Sequence, residues 1–141
     1  MAALMVGQEA IGKAPDAAAI ETIARATIAA LPAQFAAHLG DVVLIVEEVA
    51  DEAMLAGLGI DHPLDLTGLY HGHPVGEKSS TLSGALPDRI HLYRRAILDE
   101  WLDTDVTFEE LVAHVTIHEI GHHFGLSDDD MHALEDLVAD A

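Results

Sequence analysis

The stretch HEIGHHFGLSD, residues 118–128, constrains this chain more than any other part of it. His118 and His122 are four apart, so on a helix they stand one turn from each other, about 6 Å along the axis, on the same face. Two imidazoles so placed can take adjacent corners of a zinc tetrahedron. Glu119 follows the first histidine and points beside the ion, where its carboxylate can act as general base on a metal-activated water and later pass the proton to a leaving amine. A catalytic zinc takes three protein ligands and keeps its fourth position for water. Gly125 lets the chain reverse, so that Asp128, ten residues after His118, can return under the ion as the third ligand.

Competing roles exist for several of these residues. Asp128 opens an acidic run after Ser127 of the kind that caps a helix and complements its dipole. Glu135, on the following helix, is the rival third ligand. His123 sits about 100° round the helix from His122, off the metal-facing stripe, and is expected behind the ligands or on the surface. His114 and His132 are read as solvated or supporting side chains, and Met131 as core. The pair in HGH, residues 71–73, lacks a third ligand nearby and is read as structural. Tyr93 and Arg94 are oxyanion candidates by chemical type alone.

Charge narrows the partners. Twenty-five acidic against six basic residues give a formal charge of −19, which repels phosphate backbones and offers no footprint for nucleic acid or an anionic membrane. With no cysteine, thiolate sites and disulfides are excluded, so a metal must rest on His, Asp and Glu. The N-terminus has neither the basic nor the sustained apolar segment of a secretory signal, and no stretch reaches membrane-spanning length; a soluble, cytoplasmic protein is expected. A chain of 141 residues suits a single domain, residues 1–141, with 1–15 a loosely ordered N-terminal segment.

The hydrophobic pattern supplies the elements around the motif. Ile20, Ile23, Thr27, Ile28 and Leu31 recur at helical spacing after Asp16 until Pro32. VVLIVEEV, residues 42–49, predicts a buried strand, and residues 50–66 a connection with one helical turn. LTGLYHGH (66–73) and RIHLYRRAI (89–97) predict two further strands, the second with Ile90, Leu92 and Arg94 on one face, and 96–102 a short helix. Thr107 with Glu110 predicts a helix from Phe108, burying Phe108, Leu111, Val112, Val115 and Ile120 and ending at Gly125. A last helix follows Ser127, with Met131, Leu134 and Val138 inward.

HEIGHHFGLSD resembles the HExxHxxGxxH/D consensus of metzincin-type zinc peptidases. GLYHG, SGALPDRIHLYRRAI and HEIGHHFGLSDDDMHALE are more closely similar to a family of small bacterial zincin-like metallopeptidases, a likeness running through most of residues 20–138. It implies an α+β, zincin-like fold: a small mixed sheet packed against an active-site helix carrying HExxH. It also implies Zn2+ held by His118, His122 and Asp128, with Glu119 as catalytic base. The strand RIHLYRR would be the edge along which an extended peptide or protein substrate pairs. The expected function is therefore a zinc metallopeptidase acting through a metal-activated water; the alternative is a non-catalytic metal- or peptide-binding module of the same fold. A metal-dependent ribonuclease is disfavoured by Glu119, by the aspartate at the third position and by the charge.

Overall fold

A computed structural model describes residues 12–39, 41–72 and 87–140. Most of the expected loose segment 1–15, together with His73 and the turn-rich stretch after it, lies outside the described residues. Helix α1, Ala17–Ala29, begins where the Asp16 carboxylate accepts the Ala19 N–H at 2.9 Å. It stops two residues short of Leu31, which is nonetheless buried. A second helix that the hydrophobic pattern did not predict, α2 (Ala33–Leu39), starts immediately after Pro32. The proline that closes one helix opens the next: its carbonyl accepts the Phe35 N–H at 2.9 Å, and its lack of an N–H costs nothing at a helix start.

Three strands form a mixed sheet: β1 (Val43–Glu47), β2 (Gly68–His71) and β3 (Arg89–Tyr93), in the order β1-β3-β2. β3 pairs parallel with β1, Leu44 opposite Ile90, and antiparallel with β2, Tyr70 also opposite Ile90. This corrects the expectation for RIHLYRR: it is the central strand, bonded on both sides, and the edges are β1 and β2. It is also shorter than predicted, because Arg94 turns out of the strand to begin helix α4, Arg94–Leu102. β1 is likewise not the buried strand its β-branched run suggested; only Leu44 is buried, as befits an edge.

Between β1 and β2, helix α3 (Glu52–Leu58) replaces the single expected turn; Asp51 caps it by accepting the Met54 N–H at 2.7 Å. The sheet packs on α5, Phe108–Phe124, whose start is fixed by Thr107 accepting the Glu110 N–H at 3.1 Å. Helix α6, Asp128–Ala139, has the reciprocal cap: Ser127 accepts from Asp130, and the Asp130 carboxylate accepts the Ser127 N–H. Val112, Ile117 and Ile120 of α5, Ile20 of α1 and Ile90 and Leu92 of β3 are fully buried in one core. Burial on this scale contributes roughly 1.5–3 kcal/mol per large aliphatic side chain, and α5 supplies more of these core residues than any other element. The result is an α+β fold: among the described residues, six α-helices and one short 3-10 turn, Pro63–Asp65, around a small mixed sheet. Among the described residues no helix is long and apolar enough to cross a membrane.

Candidate metal centre and catalytic carboxylate

Helix α5 carries three histidines on one stripe, His114, His118 and His122, each four residues from the next. The first two rings lie 4.1 Å apart, centroid to centroid; the second and third lie 6.0 Å apart with planes at 80°. Helix α6 is turned back toward that stripe at Gly125, whose φ of 71° is left-handed. There the Gly125 N–H donates to the His122 carbonyl at 3.2 Å and the Leu126 N–H to the Gly121 carbonyl at 2.9 Å, a Schellman turn. The reversal sets Asp128 at the first residue of α6 and lays Glu135 alongside α5.

The structure gathers these groups differently from the motif reading. Glu135 Oε1 lies 2.6 Å from His114 Nδ1 and 3.4 Å from His118 Nε2. Among the described residues, His114, His118 and Glu135 form the group of three potential ligands whose donor atoms all lie within 4.8 Å of one another. His118, His122 and Asp128 are not drawn that close. His122 and Asp128 are exposed at the end of the stripe, and Asp128 reaches His118 through its charge, not through a bond. The residues fit a metal. His118 Nε2 and Glu135 Oε1 are buried and turned on each other and on His114, and two imidazoles with a carboxylate are a donor set suited to zinc. Burial, then the neighbouring His114, lowers the pKa of His118 against the pull of Glu135, and a neutral imidazole is the form that ligates.

Glu119 projects toward the sheet. Burial pushes its carboxyl up to about 7, opposed by a hydrogen bond from the Tyr70 amide. The strand register explains why that amide is available. Tyr93 N–H donates to the Thr67 carbonyl at 2.9 Å, so by alternation the pairs at 69/91 and 71/89 are the hydrogen-bonded ones. The N–H groups of Gly68 and Tyr70 therefore turn outward, to the side of β2 that pairs with no strand among the described residues. The strand passes close over α5 at this point: a Cβ on Gly68 would stand 3.1 Å from Val115 Cγ1 and 3.2 Å from Glu119 Cγ.

His123 is neither on the metal stripe nor on the surface. Its ring stacks on Tyr70 with centroids 3.9 Å apart, and its Nε2 lies 3.5 Å from Asp88, which also accepts the Tyr70 hydroxyl proton at 2.7 Å. This packing fixes the end of β2 that bonds Glu119. Of the two oxyanion candidates, Arg94 donates to the Pro15 carbonyl at 2.8 Å and to Glu48 at 2.9 Å, and Tyr93 is buried in a small cluster with Ala50, Leu55 and Ala96. His114 is the residue that motif reasoning passed over. Its spacing of four before His118 was the available signal, obscured because the motif begins at His118.

A helix bearing HExxH, packed under a small mixed sheet with the glutamate held at a strand edge, defines the zincin class of protein. The model of the zincin-like metallopeptidase family matches residues 39–137, and the chain belongs to that family. No curated protein matches it.

Proposed function

We propose that this chain is a zinc-dependent, metzincin-like peptidase in which His118, His122 and Asp128 hold the ion and Glu119 is the general base. The observation that carries the reading is the Glu119 carboxylate, bonded to the outward amide of Tyr70 on β2 and one residue from His118. When bound, zinc supplies Lewis acidity to a carbonyl oxygen and to water. The protein's own part is positional. The Tyr70 N–H orients one Glu119 oxygen, leaving the other to take a proton from water and return it to the departing amine. Apart from the Tyr70 N–H, which Glu119 holds, the outward main-chain groups of β2 pair with no strand among the described residues and can bond an extended peptide, so substrate pairing moves from the central β3 to β2. The absence of cysteine suits a reducing, cytoplasmic setting.

One observation favours a second reading: the closeness of His114, His118 and Glu135 suits a metal-binding module that turns nothing over. Glu119→Gln separates the two. It keeps the shape of the side chain but removes the base, and peptide hydrolysis by the zinc-loaded protein is expected to fall roughly 10²–10⁴-fold with zinc content unchanged. Undiminished turnover in that variant, in protease-free protein, rejects Glu119 as the base. Persistent inactivity of the unsubstituted, zinc-loaded chain against diverse peptides supports the module.

A further inference from the structure

We propose that His114, His118 and Glu135 form a second berth for a divalent transition-metal ion, one helical turn from the catalytic set and sharing His118 with it, so that one ion can be parked away from Glu119. The inference rests on the assignment of His118, His122 and Asp128 as the catalytic ligands. Its own ground is separate. The three donor atoms already lie within 4.8 Å of one another, and the 3.4 Å between His118 Nε2 and Glu135 Oε1 is close to the ligand spacing of about 3.3–3.5 Å that tetrahedral zinc bond lengths dictate. The shorter His114–Glu135 contact needs to open by less than about 1 Å to match. His118 Nε2 and Glu135 Oε1 are both buried, and the polar contacts they make are with each other and with His114 inside the cluster, an arrangement that a cation at its centre would satisfy.

There is also an approach. A cleft of about 410 Å³ runs between the first half of α5 and the last half of α6, lined by Glu109, Glu110, His114, Glu135 and Asp136 among others. Four carboxylates and an imidazole on its walls attract cations and repel anions, and His114 and Glu135 belong both to this wall and to the berth. His118 has one lone pair on Nε2, so it can serve either the berth or the catalytic set but not both at once. An ion in the berth leaves His122 and Asp128 without it. Metal content and peptidase activity thus become separable quantities in this chain.

The test uses the full chain stripped of metal and titrated with zinc alone against a chromophoric chelator, with cobalt as a spectroscopic reporter of the ligand set. Replacing His122 and Asp128 by alanine removes two catalytic ligands; the expected result is one zinc still bound, with affinity lowered by about 10–100-fold. Adding Glu135→Gln to that variant is expected to cost a further 10–100-fold and to change the cobalt spectrum. Asp128→Asn, alone and with Glu135→Gln, repeats the comparison with smaller changes of shape should the alanine variant not fold. Loss of zinc binding on removing His122 and Asp128 overturns the second berth and leaves the catalytic assignment standing. Retention of zinc that is indifferent to Glu135→Gln and to His114→Ala also overturns it. Binding that depends on His114 and Glu135 but is untouched by His122 and Asp128 makes the berth the sole metal site and overturns the catalytic assignment with it.

Discussion

Gly125 shows how much of the site depends on a single backbone conformation. Its φ of 71° is accessible to glycine without steric cost, whereas an L side chain there meets its own carbonyl. The turn it makes satisfies the carbonyls of Gly121 and His122 and releases the chain at the angle that sets Asp128 and Glu135 beside α5. A Cβ at this position has open space around it, so the penalty for Gly125→Ala is conformational alone. It is expected to lower stability by about 1–2 kcal/mol, with Gly125→Asn closer to the parent because asparagine tolerates the left-handed region. Urea midpoints of the metal-free proteins measure this; equal midpoints for glycine and alanine would show that the turn relaxes to another form. The same substitution is expected to weaken zinc binding, since both third-ligand candidates lie beyond the bend.

At the scale of elements, α5 and α6 meet at Gly121. A Cβ there would stand 2.4 Å from Met131 Sδ and 2.6 Å from its Cγ, and Met131 is only 1% exposed, so the thioether has no solvent to swing into. Gly121→Ala is therefore expected to destabilise the pair by about 1–3 kcal/mol through overpacking, and truncating Met131 to alanine in the same chain to return part of that loss. Thermal unfolding of the two single variants and the double variant gives the coupling; strict additivity would place the contact elsewhere. The helices that meet here were legible in the sequence because their ends carry local chemistry: Thr107, Gly125 and Ser127 all act as their types predict. The missed α2 has no such periodic stripe, being only seven residues with Phe35 and Leu39 inward. Strand order was not legible either. RIHLYRR alternates as an edge or a central strand can, and its place in the middle depends on partners 46 residues earlier and about twenty earlier that no local pattern encodes. The site divides the same way. The helical histidines and Glu119 follow from spacing, whereas the contact of Glu119 with Tyr70 and that of His114 with Glu135 are tertiary, joining residues that chain distance keeps apart.

Across the whole molecule the two tyrosines, the only ones in the chain, tie the fold to alkaline pH. Burial first, then the nearby charges of Glu47, Asp51 and Glu119, push the Tyr93 phenol up from 10.0 to about 12. Burial and the bond to Asp88 push Tyr70 further in the same direction. Both groups thus have folded pKa values above the unfolded one. In that case the unfolded chain releases these protons first, so their stabilising contribution is complete below about pH 10 and is lost as pH rises through the folded values. Between pH 10 and 12 stability is expected to fall by at most about 1.4 kcal/mol per pH unit for each tyrosine that stays protonated in the folded state. Tyrosinate absorbance should consequently appear together with loss of helical circular dichroism, not before it. Tyr70→Phe removes the donor to Asp88 as well as one ionising group. It should lower stability near neutral pH by about 1–3 kcal/mol while making the alkaline loss shallower. Ionisation of both phenols near pH 10 with the helical signal intact would contradict the burial of Tyr70 and Tyr93. With it would go the rigid β2 edge on which the orientation of Glu119 depends.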